Sequence, residues 1–484
     1  MKLYHLIEDA ENKGLSEKEL ELEIFKITSD LAEVEEGSLF FAIKGFQFDG
    51  NDFLEEAIEK GAAAVVTENK DFESDCCVVA VKNSRRALAY AANVFFDKPS
   101  EKLCIIGITG TNGKTTTSYM LTHILSEAGI KCGIIGTNGV VIGDKFEPLQ
   151  NTTPDAVTIH SIFAEMVRQG ITHVVMEVSS HALDQDRAWG IRFKIGIFTN
   201  LSIEHLDYHG TMEEYAKSKL KLFKQSDICV INKDDSFSDF FVGSEKEKSS
   251  VFTYSAHADS DYRVENIHVF DDGSKFDVVK CNCFTVIGVK QKINGFFNVY
   301  NALAAFAAAD ILGVKKDSIS RAISTFSGVK GRMERILTDR GFTVIIDYAH
   351  TPDGLGKVLT SIRSCCKGKI LAVFGCGGNR DKSKRSLMGK IAEALSDKVI
   401  VTSDNPRNEE PEKIIEDILV GIKDTSKVLS VTDRREAIRL ALSLAKKNDT
   451  VLLAGKGHET YQIINGIKHH FDEREEIENF LKNN

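Results

Sequence analysis

The 484-residue sequence is short of several things at once: it has one tryptophan and six prolines, and no apolar run near the length of a bilayer crossing. A spanning helix needs about 20 consecutive apolar residues, so the chain reads as not membrane-embedded. Its first residues, MKLYHLIEDAENKG, carry no apolar core of signal-peptide length, which makes the cytoplasm the expected location. A positive excess is missing too. Lys and Arg number 61 against 71 Asp and Glu, a formal net charge of −10, which argues against nucleic acid or an anionic membrane as partner. Any anionic substrate would need local basic pockets. Repeats of solenoid length and low-complexity linkers are also lacking. Ten cysteines are present, yet without an export signal they read as reduced and mostly buried. Cys76-Cys77 and Cys281-Asn-Cys283 lack metal-finger spacing, and Cys365-Cys366 near Cys376 has no histidine close by, so no zinc or iron–sulfur site is expected.

What remains is the composition of an ordinary globular protein, 42% hydrophobic and 27% charged, in a chain longer than one core usually organises. Pattern changes divide it into residues 1–98, 99–331 and 332–484. The first reads as a small α/β domain, with strand-like GSLFFAIKG and AAAVVTE and helical Leu54–Lys60 and Arg86–Phe95, closed by Pro99. The second alternates buried strands (Cys104–Ile108, Cys132–Ile135, His173–Val178, Ile195–Thr199, Cys229–Asn232) with helices, the pattern of a parallel sheet with crossovers. The third repeats that pattern, with strands Thr343–Asp347, Ile370–Phe374, Lys398–Thr402 and Thr450–Leu453 and helices Ser386–Leu395, Lys413–Ile422 and Arg434–Ala445. Polar residues where parallel strands end face the ligand crevice.

The chain is organised around Leu103–Ser118, LCIIGITGTNGKTTTS. A β-branched strand runs into Gly110, Asn112 and Gly113, and from Lys114 the apolar Leu121, Ile124, Leu125 and Ala128 recur at helical spacing. Strand, glycine turn and helix start make a phosphate cradle: freed backbone N–H groups, the helix dipole and the Lys114 ammonium all favour anionic oxygens. Thr115 or Thr116 is placed to hold Mg²⁺. The general nucleotide-loop spacing is not fully met, because Ile108 stands where a glycine is usual and Gly107 comes one place early.

Further strand ends carry charge. His173-Val-Val-Met-Glu177 ends an apolar strand on a carboxylate, which burial makes costly unless a partner or metal meets it. The segment Thr199–Gly210 brings His205 and Asp207 to the same edge. Lys217, Lys219 and Lys221 lie on one predicted helix, ordinarily a solvated face. Ser403–Pro411, SDNPRNEEP, is locally a turn with Pro411 at a helix start, but Arg407 can also form a two-pronged pair with a carboxylate.

TGTNGKTTT alone resembles the ATP loop of the Mur ligases and of the related folylpolyglutamate synthases. Together with NTTP, EVSSHALDQDR, NLSIEHLDYHG, GFFNVYNALAA, GRMER, DYAHTPD, GCGGNRDKSKR, DNPRNEEP and GKGHE, in order along nearly the whole chain, it is similar to the Mur ligases that add the third residue of the peptidoglycan peptide. The resemblance implies an α/β fold of three domains: a small α/β N-terminal domain (1–98) for the UDP-substrate, a central P-loop parallel-sheet ATPase domain (99–331), and a Rossmann-like C-terminal domain (332–484) for the amino acid. It implies ATP and Mg²⁺ as cofactors. Gly110, Thr111, Asn112, Gly113, Lys114, Thr115 and Thr116 would hold the phosphates, Asn298 and Asn301 would lie by the adenine, and Arg332 and Asp347 would reach the rest of the nucleotide. Thr115, Glu177, His205 and a carbamylated Lys219 would serve the metal, with Lys114, Lys219 and His205 as the catalytic set. An unperturbed lysine has a pKa of about 10.4, so adding CO₂ needs surroundings that favour the neutral amine.

By the same resemblance Asn151, Thr152, Thr153, Ser179, Gln185 and Arg187 would contact the UDP-sugar dipeptide, with Phe46, Gln47 and Phe48 as nucleotide neighbours. One departure stands out: where the family often carries a uracil-contacting serine, this chain has Leu31, between Asp30 and Ala32. Arg380, Asp404, Asn405, Pro406, Arg407, Gly455 and Glu459 would hold the incoming amino acid. The arginine of DNPR resembles members that add meso-diaminopimelate, whose second carboxylate lysine lacks; meso-lanthionine would offer the same group. The implied reaction is ATP-dependent amide ligation through an acyl phosphate, in a cleft that closes between domains. The expected partners are therefore small molecules, with the chain acting as a monomer. A sister ligase for folate or another muramoyl peptide shares the ATP loop but should lack DNPRNEEP, and a non-catalytic nucleotide-binding scaffold should have a broken phosphate or metal site.

Overall fold

The computed structural model describes residues 1–8, 14–45, 48–245, 250–270, 272–281 and 285–483. Strands β1 (Lys26–Thr28), β2 (Ser38–Phe41), β3 (Ala62–Thr67) and β4 (Cys77–Ala80) form a parallel sheet in that order, and helix Ser84–Phe95 packs on it. Both faces of β2 are buried, as its unbroken apolar run requires.

The middle of the chain builds a second sheet from β5 (Cys104–Thr109), β6 (Cys132–Gly136), β7 (Gly139–Ile142), β8 (Lys145–Glu147), β9 (His173–Glu177), β10 (Phe193–Phe198), β11 (Ser226–Asn232), β12 (Ser250–Ser255), β13 (Tyr262–Phe270), β14 (Gly273–Lys280) and β15 (Thr285–Gln291). Their order is β15-β14-β13-β12-β11-β10-β5-β9-β6-β7-β8. The parallel run β11-β10-β5-β9-β6 is the expected one; β12, not among the expected strands, extends it in parallel, and antiparallel ribbons flank it on both sides. Neither ribbon is a sequence expectation. β13 and β15 mix exposed with buried positions and β8 is exposed throughout, so these strands lack the solid apolar runs that mark the parallel ones; β7 is mostly buried but only four residues long.

Helix Phe296–Ile311 packs on the central sheet and beside helix Lys114–Glu127. Its sequence FFNVYNALAAFAAADI is apolar on nearly all sides, and Val299 through Ala309 are buried apart from Tyr300. Alanines let backbones approach closely, while Val299, Leu303 and Phe306 each contribute about 1.5–3 kcal/mol by leaving water. The consequence for the site is that Asn298 and Asn301 are carried rigidly to the phosphate loop.

The third sheet has β16 (Glu334–Leu337), β17 (Thr343–Asp347), β18 (Ile370–Phe374), β19 (Lys398–Val401), β20 (Val428–Ser430) and β21 (Thr450–Ala454), ordered β16-β17-β21-β18-β19-β20, with only β16 antiparallel among the described strands. A hairpin, β22 (Tyr461–Ile464) and β23 (Ile467–His470), follows. Its helices run Ser383–Leu395, Pro411–Leu419 and Arg434–Leu444. The helix from Pro411 stops at Leu419, short of the expected Ile422, where Gly421 lies against the Ser386 carbonyl too closely for any side chain. No described helix is long and apolar enough to cross a membrane.

Candidate active site

β5 lies between β9 and β10, with Ile108 in register with Glu177 on one side and Ile197 on the other. The phosphate loop, Glu177 and the 199–210 segment therefore leave neighbouring strand ends. The loop turns through Gly113, whose φ of +87° and 2.4 Å distance from a would-be Cβ to Asn301 Oδ1 admit only glycine. Helix Lys114–Glu127 starts at once. Lys114 Nζ donates to the carbonyls of Gly110 (2.8 Å) and Thr111 (2.9 Å), and burial lowers its pKa from the ordinary lysine value. Thr111 Oγ1 meets the Tyr215 hydroxyl at 3.2 Å.

Glu177 has 0% exposure. Its carboxylate accepts from the hydroxyls of Thr115 (3.0 Å) and Thr137 (3.0 Å) and from Thr137 N (3.0 Å), but forms no salt bridge among the described residues. Lys219 separates from its neighbours on helix Met212–Phe223: it is 1% exposed, whereas the Lys217 side chain is 58% exposed. Burial, with the Lys114 charge next in weight, holds its pKa well below the ordinary lysine value, and its Nζ lies 4.4 Å from the Tyr215 ring centroid. His205, in a left-handed backbone at φ +58°, packs with His181 and Tyr215. Burial pushes its pKa down to about 4. Glu177 and His205 thus belong to different contact groups, and among the described residues no cluster of three His, Cys, Asp or Glu side chains forms a metal cage.

Beyond the loop is a cavity of about 730 Å³ between the central and C-terminal sheets. Asn112, Gly113, Thr116, Asn298 and Asn301 line one side, with Phe296 and Tyr300; Arg332, Asp347, His350 and Asp353 line the other. Asn301 Nδ2 donates to Asn298 Oδ1 at 2.8 Å. Arg332 lies over the Tyr348 ring and donates to Thr115 Oγ1 at 3.2 Å, and Asn112 Nδ2 donates to Asp353 at 3.1 Å. Asp347 accepts from Met333 N (2.7 Å) and Ala349 N (2.8 Å), and burial raises its pKa against the pull of Arg332. Glu204 also bridges the domains, 3.4 Å from His350 Nε2 and 3.8 Å from His205 Nε2. Burial would raise its pKa, but His350, His205 and Lys114 together bring it down to about 2.

The other implied residues form two further groups. Thr153 Oγ1 donates to the Glu177 carbonyl (2.9 Å) and accepts from Ser179 N (3.0 Å), while Thr152 meets Thr137 (3.1 Å). Arg187 donates to the Thr153 carbonyl (2.9 Å) and to Gln185 Oε1 (2.6 Å). Asn151 is exposed at the start of this segment. The N-terminal domain docks here through Arg86, which pairs with Asp186 at 2.9 Å. Leu31 opens a 3₁₀ turn capped by Asp30, and its carbonyl accepts from Lys60 Nζ at 3.2 Å. Phe48 is 70% exposed; Phe46 and Gln47 lie outside the described residues.

In the C-terminal domain Asp404, Asn405 and Pro406 are buried after β19, with buried Gly455 and part-buried Glu459 after β21. Asn405 Nδ2 donates to Glu459 at 2.9 Å. Arg407 has a left-handed backbone at φ +54°, pinned by Ile463 and Asn465 of the hairpin, and its Nη1 donates to the Gly378 carbonyl at 2.9 Å. Arg380 is exposed nearby, and its charge adds to burial in lowering the Arg407 pKa. Fully buried Arg385 holds Glu409 at 3.0 Å and Asp417 at 2.9 Å, fixing the far end of the loop.

Residues not singled out from sequence are Glu204, His350, Asp353, Tyr215 and Lys456. Glu204, His350, Asp353 and Lys456 sit inside the quoted motifs and Tyr215 a few residues beyond one; for Glu204 the adjacent imidazole of His205 was the available signal.

Three family models match the chain: "Mur ligase family, catalytic domain" over residues 23–100, "Mur ligase middle domain" over 108–309, and "Mur ligase, glutamate ligase domain" over 331–457. The UDP-N-acetylmuramoyl-L-alanyl-D-glutamate–2,6-diaminopimelate ligase of Clostridium tetani is 45% identical, over 100% of this chain and 99% of that one. The enzyme of the same name from Aquifex aeolicus is 46% identical, over 94% and 93%. A solved structure of a ligase with that name is 33% identical, with a TM-score of 0.72 over 100% of this chain and 99% of its own.

Proposed function

The chain belongs to the Mur ligase family, and on that premise we propose that it joins meso-diaminopimelate to UDP-N-acetylmuramoyl-L-alanyl-D-glutamate, using ATP, in peptidoglycan precursor synthesis. The observation that carries this reading is the seam of contacts across the cavity: Asn112 to Asp353, Thr115 to Arg332, Glu204 to His350. They set the phosphate loop against the domain that bears the DNPR loop.

The dipeptide's terminal carboxylate attacks the γ-phosphorus and ADP leaves, giving an acyl phosphate. The neutral amine of the diamino acid then adds to the acyl carbon and gives up a proton to solvent, and phosphate departs from the tetrahedral intermediate, leaving an amide. No enzyme nucleophile is needed, so positioning and charge do the work. The loop amides and Lys114 meet the phosphates, Asn298 and Asn301 flank the adenine, and Arg332 and Asp347 reach the remainder of the nucleotide. Thr152, Thr153, Ser179, Gln185 and Arg187 orient the UDP-sugar dipeptide, with Asn151 at the rim and the Leu31 and Phe48 loops covering the uridine. Arg407 and Arg380 take the second carboxylate of the diamino acid, and Asp404, Asn405 and Glu459 take its polar ends.

The donor set fits a hard divalent cation. Glu177 is a buried carboxylate with hydroxyl and amide hydrogen bonds but no salt bridge among the described residues, and Mg²⁺ is held by one or two carboxylates together with phosphate oxygens and water. Glu177 with Thr115, and separately His205 with a carbamylated Lys219, would hold such ions, and Mg²⁺ when bound supplies charge neutralisation at the phosphoryl oxygens. The buried, neutral-leaning amine of Lys219 is what CO₂ addition requires. All these groups come from one chain, so a monomer suffices, and the nucleotide substrates place the reaction in the cytoplasm.

Phosphate release measured with the UDP-dipeptide, ATP and each of meso-diaminopimelate, meso-lanthionine and L-lysine tests the reading. Turnover with the two diacids but not lysine is expected. Equal use of lysine would overturn the assignment of Arg407.

A further inference from the structure

Lys456 is a charged side chain that the steps above leave without a task, and its exposure is 0%. It follows β21 between Gly455 and Gly457. A Cβ at Gly455, where φ is +114°, would stand 2.7 Å from Asp404 Oδ2, so the turn that sends the lysine inward needs glycine. Once inside, Nζ donates to Asn405 Oδ1 at 3.0 Å and to Glu459 Oε2 at 2.8 Å, and lies 5.7 Å from the Tyr461 ring centroid.

These bonds leave Asn405 one orientation. Its Oδ1 faces two donors, Lys456 Nζ and Ile463 N at 3.0 Å, so its Nδ2 must point the other way, to Glu459 Oε2 at 2.9 Å. Glu459 is held by the same oxygen, Oε2, from two sides, and its Oε1 makes no hydrogen bond among the described residues. The charges matter as much as the geometry. Arg407 lies within the electrostatic reach of Glu459 and Asp404, and both carboxylates also flank Lys456. A Glu459 released from Lys456 has a guanidinium to turn to, and in doing so would occupy the place meant for the substrate's carboxylate.

We propose that Lys456 is a positioning residue of the amino-acid site: its ammonium orients Asn405 and ties Glu459 away from Arg407, without itself touching the diamino acid. This rests on the amino-acid site proposed above. Removing a buried ion's partner is costly, and here the cost should appear as a defect specific to one substrate.

For Lys456→Met the KM for meso-diaminopimelate should rise at least tenfold, while KM for ATP and for the UDP-dipeptide stays within twofold. Lys456→Arg, which keeps the cation, should recover to within about threefold of the parent. In a Glu459→Gln background there is no anion to restrain, and Ile463 N still holds Asn405 Oδ1, so adding Lys456→Met should raise that KM less than threefold further, the non-additivity of coupled neighbours. A further tenfold rise on that background, or a loss shared equally among all three substrates, overturns the proposal. Should Lys456→Met not fold, Lys456→Gln carries the same expectation, and a KM equal to the parent's overturns it as well. If Asn405→Ala and Glu459→Gln leave the diaminopimelate KM unchanged, the amino-acid site itself is misplaced; if they raise it and Lys456 variants do not, only the positioning role is wrong.

Discussion

Arg407→Ala removes the group that the account makes responsible for choosing a diacid over lysine. The backbone at 407 is left-handed and is held by main-chain bonds to Ile463 and Asn465, so truncating the side chain leaves the loop's tether in place. Of the guanidinium nitrogens, Nη1 is committed to the Gly378 carbonyl at 2.9 Å; Nε and Nη2 make no hydrogen bond among the described residues and on this account would form the fork for a carboxylate. A hydrogen bond to a charged group is worth about 1.5–3 kcal/mol. Because the side chain is half-buried, the lower part of that range applies to the pair as a whole, about 2 kcal/mol, which is roughly a 30-fold fall in kcat/KM. The assay is phosphate release at saturating ATP and UDP-dipeptide with the amino acid varied. Diaminopimelate should lose about 30-fold, on the order-of-magnitude estimate above, with lysine unaffected and KM for ATP unchanged. If the ratio of diaminopimelate to lysine use is the same in variant and parent, the fork is not the source of selectivity.

Three further outcomes follow from particular geometries. Lys114→Ala should abolish ligation with the fold intact, since beyond its charge the side chain contributes only two loop hydrogen bonds, about 1 kcal/mol each; retained turnover removes the loop from the mechanism. Lys219→Ala should lose activity more than about 100-fold, and ¹³C-bicarbonate should give the parent, but not the variant, a carbamate resonance, with CO₂-depleted parent regaining activity on adding bicarbonate; indifference to CO₂ would contradict carbamylation. His160, 1% exposed and packed against Phe163, has its pKa pushed down to about 4 from 6.5 by burial, so the unfolded chain takes up the proton first as pH falls. Its contribution is full above pH 6.5 and is lost toward pH 4, amounting to about 2 kcal/mol between pH 7.5 and pH 5. His160→Phe should flatten that part of the urea-unfolding pH profile, and an unchanged slope would place the acid sensitivity elsewhere.

Those features legible in the sequence are the ones whose chemistry is local. A strand, a glycine turn and Lys114 sit within one short stretch, and the parallel strands announce themselves as solid apolar runs. Lys219 was half legible: Tyr215, Lys219 and Leu222 share one helix face and all are buried, while Lys217 lies outside it, but only a resemblance directed attention to it. The pair formed by Glu204 and His350 could not be read, because it depends on how two separately folded sheets meet. Lys456 was hidden for a related reason, since a lysine between glycines reads as a surface turn until β19 and β21 bring Asn405 and Glu459 around it. The antiparallel ribbons at the sheet's edges were missed because β13 and β15 are only part-buried, β8 is exposed throughout and β7 is short, each a weaker signal than a long buried run.

The central claim is that one cleft activates a carboxylate by phosphorylation before the amine arrives. It is tested most directly with UDP-dipeptide carrying ¹⁸O in its terminal carboxylate, turned over with ATP and meso-diaminopimelate. The account predicts one ¹⁸O atom in each released phosphate. Phosphate free of label, with amide formed at the normal rate, would contradict it.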